Sequence, residues 1–193
     1  MAEESTGGEK QKAVSSQAAP KPAPTMTTKP WESELTRRLQ ERFGDQIVEF
    51  ATYLDQEFLV AKPEGIIPIL EFLKAEEEFD YLVDITAVDY PTRTERFDLV
   101  YILYSFARNQ RIRIKTRISD GYKPATAVGV HATANWLERE VFDMFGVEFA
   151  GHPDMRRILM PEEWQGHPLR KDYPIVKQDE GWVRENLGIE SGQ

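Results

Sequence analysis

Two consecutive segments near the middle of the chain constrain its fold most. Residues 97–106 (FDLVYILYSF) are apolar at both parities, whereas over residues 111–118 Ile112, Ile114, Thr116 and Ile118 alternate with Arg111, Arg113, Lys115 and Arg117. Successive side chains of a strand point to opposite faces, so the first segment reads as a central strand, and the second as a strand with one apolar and one basic face. The basic row is read as a solvated outer face.

Around this pair the periodicity is legible. Trp31, Leu35, Leu39 and Phe43 recur every four residues ahead of Gly44, which predicts an amphipathic helix closed by a glycine C-cap. Residues 47–54 and 57–61 are β-rich and are joined by Asp55-Gln56, a polar pair suited to a hairpin. Ile66, Ile69, Leu70 and Leu73 hold helical spacing, with Pro63 and Pro68 placed early in the segment. Residues 81–88 form another β-rich run, and Asp89-Tyr90-Pro91 and Asn109-Gln110 break the central segments apart. A last helix is predicted over NWLEREVFDMFG, residues 135–146, where Asn135 and Glu138 have capping-box spacing and Gly146 can close the helix left-handed. The order α-β-β-α-β-β-β-α, clustered and not alternating, predicts an α+β fold: a two-layer sandwich with mixed or antiparallel pairing. Residues 1–30, rich in Ala, Ser, Thr, Lys and Pro, read as a disordered tail, residues 31–149 as the domain, and residues 150–193 as an extended C-terminal docking arm.

Composition excludes several kinds of chemistry. With no cysteine, the chain has no disulfide, thiolate nucleophile, zinc ribbon or Cys-held iron–sulfur cluster. A net charge of -9 disfavours nucleic acid and anionic lipid as general partners. No apolar run reaches the roughly 18 residues of a membrane helix, and the N-terminus lacks a signal-peptide pattern, so a soluble intracellular chain is expected.

In the last third, acidic and basic residues are packed beside Trp, Phe, His-Pro and Gly. On a helical projection Arg139, Glu140 and Asp143 share one face, while Glu138 falls between Phe142 and Phe145 on the apolar side. A carboxylate there needs a capping role, a proton or a cation, for which Arg156, Arg157 and Arg170 are candidates. His152-Pro153 and His167-Pro168, with Asp154, lack a metal-binding spacing, so each imidazole is expected to satisfy backbone groups at a proline-fixed turn. Residues 169–174 (LRKDYP) mix guanidinium, carboxylate and aromatic groups, the composition of an interface hot spot. No glycine-rich nucleotide loop or nucleophile elbow occurs, and no spacing supports a hydrolase or lyase using Glu138, His152 or His167.

Taken in order, EREVFDMFG at 138–146, GHPD at 151–154 and GHPLRKDYP at 166–174 closely resemble the family of C subunits of proton-pumping NADH:quinone oxidoreductase, respiratory complex I. The resemblance covers everything but residues 1–30. It implies a cofactor-free structural subunit of the peripheral arm, held against the neighbouring D subunit and supporting electron transfer from NADH to quinone. NADH, FMN, iron–sulfur clusters and quinone would be bound by partner subunits. The implied contact comprises Glu138, Arg139, Glu140, Asp143, Gly146, His152, Pro153, Asp154, Trp164, Gly166, His167, Pro168, Arg170, Lys171, Asp172, Tyr173 and Pro174, with no catalytic, cofactor or metal residue. The implied location is peripheral, on the cytoplasmic side of the inner membrane, with membrane contact only through the complex. An equivalent subunit of a membrane-bound hydrogenase or other complex I-like enzyme, or a reversible assembly module, is the alternative. Because the chain ends soon after the motif, the form fused to the D subunit is not expected.

Overall fold

The computed structural model describes residues 27–174 and 180–188. Most of the tail, residues 1–26, therefore lies outside the described residues. The elements are β1 (Lys29–Pro30), α1 (Glu34–Phe43), β2 (Ile47–Tyr53), β3 (Gln56–Ala61), α2 (Ile66–Glu76), β4 (Tyr81–Asp89), β5 (Phe97–Ser105), β6 (Gln110–Ile118), α3 (Ala134–Phe145) and α4 (Glu180–Leu187). The fold is α+β, and the series expected from periodicity runs from α1 to α3. Lys29 and Pro30, assigned to the tail by composition, instead pair with Thr52 and Ala51 as a short edge strand.

Local chemistry explains the boundaries. Trp31 does not open α1. The helix starts after Ser33, whose hydroxyl accepts from Thr36 N while Thr36 Oγ1 accepts from Ser33 N, a capping box shifted two residues from the aromatic. Trp31 packs edge-on against Phe50 instead. The β2–β3 hairpin turns on Leu54-Asp55, both at positive φ (49° and 58°), one residue earlier than the polar pair suggests.

The sheet order is β1-β2-β3-β6-β5-β4, antiparallel throughout except for the parallel β3–β6 contact, which α2 and the β4–β5 hairpin bridge. β5 is paired on both sides, as its two apolar parities predict. The three helices α1, α2 and α3 lie against one face, where Leu39, Ile69, Leu73, Val141 and Phe145 meet Leu59, Ile85, Leu99, Tyr101, Leu103, Ile112 and Ile114 in one continuous core. On the opposite face a small cluster of Ala51, Phe58 and Val60 lies beside the basic row of β6.

A buried carboxylate ties the helical layer together. Glu77, only 2% exposed, accepts from Arg38 Nε and Nη2 at 2.6 and 2.7 Å and from Arg108 Nη2 at 2.9 Å, joining α1, the end of α2 and the β5–β6 turn.

Leu103 is fully buried and its neighbour Ile102 faces the uncovered side, so truncation should discriminate the two layers. Leu103→Ala is expected to lower the unfolding free energy by about 3 kcal/mol, and Ile102→Ala by less than about 1.5 kcal/mol, in urea denaturation. Equal losses would contradict the two-layer assignment.

Candidate functional site

The C-terminal motif folds back on the domain, and buried carboxylates hold it there. Asp143, in the last turn of α3, is completely buried. Its Oδ2 accepts from the backbone N–H groups of Ile158, Leu159 and Met160 at 3.0, 2.7 and 2.9 Å, and its Oδ1 accepts from Arg157 Nη1 at 2.6 Å. Burial pushes this carboxyl up, but the hydrogen bonds from Met160, Leu159, Arg157 and Ile158 outweigh it and hold the group below the usual carboxylate range. With a depressed folded value, its stabilisation is complete above the ordinary carboxylate range and is lost only as pH falls through that lower value.

The arm also supplies donors to the carbonyls that α3 leaves free at its C-terminus. His167 Nδ1 donates to Asp143 O at 3.0 Å, Leu169 N to Met144 O at 3.0 Å and Arg170 Nη1 to Phe145 O at 3.4 Å. Gly146 closes the helix at φ 77°, and a Cβ there would stand 2.6 Å from the His167 ring. Gly166 is equally constrained: at φ 82° its Cβ would meet Tyr173 at 2.8 Å. Pro168 sits second in a turn closed by Arg170 N on His167 O, and Tyr173 N on Arg170 O closes the next.

Further along, the arm is pinned to the sheet. Asp89 at the end of β4 receives a bidentate pair from Arg96 (2.7 and 2.8 Å) and the backbone N–H of Lys171 (2.7 Å). Arg96 continues to Asp172 at 2.8 Å, and Arg170 pairs with Asp120 while stacking near Phe97. The Arg96 hydrogen bond is the main reason the Asp89 carboxyl lies below its usual range. The arm through Pro174, read from the sequence as extended, is thus folded back as an internal clasp.

Glu138 is buried but has none of the expected arginines. Thr126 Oγ1 donates to it at 2.5 Å and Ala127 N at 2.6 Å, so it anchors the loop that precedes α3. The capping box with Asn135 is absent: the N-cap is Thr133, with no side-chain cap bond, because Glu138 is turned inward to this loop. Burial pushes the Glu138 carboxyl up to about 7 despite those two hydrogen bonds. His152 Nε2 lies 4.0 Å from it but donates to Asn135 O at 3.1 Å, while Nδ1 accepts from Asp154 N at 3.0 Å, and Pro153 lies within that turn. Both histidines therefore serve backbone groups.

Arg139 binds the carbonyls of Arg156 and Arg157 at 3.0 and 3.4 Å, Arg156 pairs with Asp154, and Arg157 reaches Gly166 O at 2.9 Å. Trp164 is buried against Trp182 of α4. Glu140 is exposed, and its carboxylate makes no hydrogen bond or ion pair among the described residues. One turn earlier Trp136 is 62% exposed with Arg139 over its ring, and Leu159 and Leu169 are also exposed. Asp89, Arg96, Asp120 and Thr126 are not legible as site residues along the chain, since Asp89 and its neighbours read simply as a strand breaker. The one signal is a carboxylate directly at the end of a strand-like run.

A family profile described as respiratory-chain NADH dehydrogenase, 30 Kd subunit, matches residues 59–179, well over half of the chain. The chain belongs to that family. Among similar curated proteins is the C subunit of the NADH-quinone oxidoreductase of Geotalea uraniireducens, 43% identical over 143 residues, spanning 74% of this chain and 87% of the relative. The same-named protein of Trichlorobacter lovleyi is 46% identical over 140 residues, 72% of this chain and 86% of the relative. That of Ruegeria sp. is 54% identical over 130 residues, covering 64% and 65%. Among solved structures, a chain of the membrane-bound sulfane sulfur reductase, an archaeal respiratory membrane complex, superposes with a TM-score of 0.66 at 26% identity, over 81% of this chain and 91% of that one.

Two substitutions test the carboxylates of this family's motif. Asp143→Asn should lower stability by about 3 kcal/mol in urea denaturation and speed proteolysis within residues 156–174, because Arg157 loses its charge partner and an amide N–H faces other donors. A loss under about 1 kcal/mol would remove Asp143 from its central role. For Glu138 the raised folded value means that stability is full below the ordinary carboxylate range and falls as pH rises toward and through about 7. Glu138→Gln should therefore gain about 2 kcal/mol relative to the parent between pH 5.5 and 8, and a pH-independent difference would refute the raised value.

Proposed function

We propose that this chain is the cofactor-free C subunit of the peripheral arm of a proton-pumping NADH:quinone oxidoreductase. In this reading it docks on the quinone-site D subunit and supports electron transfer from NADH to quinone without catalysing a step itself. The complex would hold it on the cytoplasmic side of the membrane, with the redox groups carried by its partners.

One observation carries the reading. Asp143, Asp172 and the motif's two histidines are engaged in internal contacts, leaving Trp136, Glu140, Leu159 and Leu169 outward. An exposed tryptophan beside a charge without an internal partner is the composition of an interface anchor. Side chains already saturated by backbone donors are poorly placed to move protons or bind a metal, which supports a scaffolding role over an enzymatic one. No helix among the described residues is long and apolar enough to cross a membrane. This fits membrane association through other subunits. The likeness to the sulfane sulfur reductase chain supports a second reading, an equivalent subunit of a related respiratory membrane complex.

The test is native-gel co-migration in the chain's own host. The parent chain should run with NADH–quinone reductase activity, and co-migration with a different activity would favour the second reading. Trp136→Ala with Glu140→Lys should reduce incorporation at least tenfold, the equivalent of about 1.4 kcal/mol, while the isolated chain keeps its melting temperature within about 2 °C. Unchanged incorporation would displace the interface from α3.

A further inference from the structure

The face of the sheet turned away from the helices carries charge that the fold does not use. Arg111, Arg113, Lys115 and Arg117 project from it along β6, and none of them makes an ion pair among the described residues. This contrasts with the arginines of the clasp and of the Glu77 cluster, and it occurs in a chain of net charge -9. The row flanks a hollow bounded by Tyr53, Phe58, Tyr90, Arg93, Lys115 and Arg117. In and beside it, Arg93 Nε and Arg113 Nε are buried with no hydrogen-bond partner. A buried N–H group without an acceptor is destabilising, so an external acceptor is the natural complement. Burial, and then the neighbouring Arg113, hold the Lys115 ammonium below the usual lysine range, and its Nζ lies 4.1 Å from the centre of the Phe58 ring.

We propose that this open sheet face is a second docking surface, which receives a carboxylate-bearing segment of another subunit across β3, β6 and β5. Guanidinium forks spaced along a strand match discrete carboxylates. Phe58, Val60 and the aromatic rims offer apolar contact between them. A second copy of this chain fits poorly, since a symmetric pairing would set one cationic row against another. A bilayer fits poorly too, because Glu49 and Asp98 border the hollow and would oppose a uniformly anionic surface. Residues 1–26 hold three Glu and three Lys, so they bring no net complementary charge.

The proposal rests on the chain being a subunit of a larger complex, and the test separates the two. Lys115 is acetylated with acetic anhydride in the purified complex and in the isolated full chain, and a water-soluble carbodiimide then joins amines to carboxylates in direct contact. Acetylation of Lys115 should be at least tenfold slower in the complex, and peptide mass spectrometry should find Lys115 joined to an Asp or Glu of a different subunit. Lys115→Arg should abolish that product. Equal acetylation in both samples overturns the second surface while leaving the subunit reading in place. So does protection without the cross-link, or a cross-link only to Glu49, to Asp98, to residues 1–26 or to a second copy. A chain that leaves the membrane attached to no other subunit overturns both.

Discussion

The Asp143 carboxylate is the interaction on which the C-terminal half depends. Two oxygens receive three backbone N–H groups and one guanidinium, all from residues 157–160, so a single side chain sets the path of an otherwise irregular segment. Irregular backbone packed on a protein surface must find acceptors for its N–H groups. A buried carboxylate meets that need several times over. Once residues 157–160 are placed, Arg157 can reach Gly166 O, and the following turns bring His167 and Leu169 onto the end of α3.

The same device recurs in other places. Glu77 gathers two arginines across the helical layer, Asp89 joins the arm to the sheet, and Glu138 secures the loop before α3. Asp143, Glu77 and Asp89 are each paired with arginine, which offsets the cost of removing charge from water. Glu138 has only neutral donors, and its carboxyl is accordingly the one pushed up by burial. Because most motif charges are spent internally, Glu140 beside the exposed Trp136 stands out as a motif charge turned outward.

Much of the architecture is legible along the chain. The two apolar parities of residues 97–106 correspond to a strand paired on both sides, and the Arg–Ile alternation of β6 separates core from open face. Gly44 and Gly146 close their helices at positive φ. The misplacements fall where one side chain has competing partners. Trp31 keeps the helical spacing yet packs on Phe50, and Glu138 has the capping spacing yet turns to Thr126 and Ala127.

The sequence by itself determined the series of helices and strands from α1 to α3 but not β1 or α4, together with many core-facing residues and the family motif, because periodicity and capping act over three or four residues. Only the tertiary structure decided what the motif's charges do. Asp143 finds Arg157 at a separation of 14 residues, Arg96 finds Asp172 at 76, and Asp89 finds the Lys171 backbone at 82. Such pairings depend on where sheet order and loop paths bring the ends of α3, β4 and β5 together. No local pattern states that distance, so the arm read as extended from the sequence is a clasp in the folded chain.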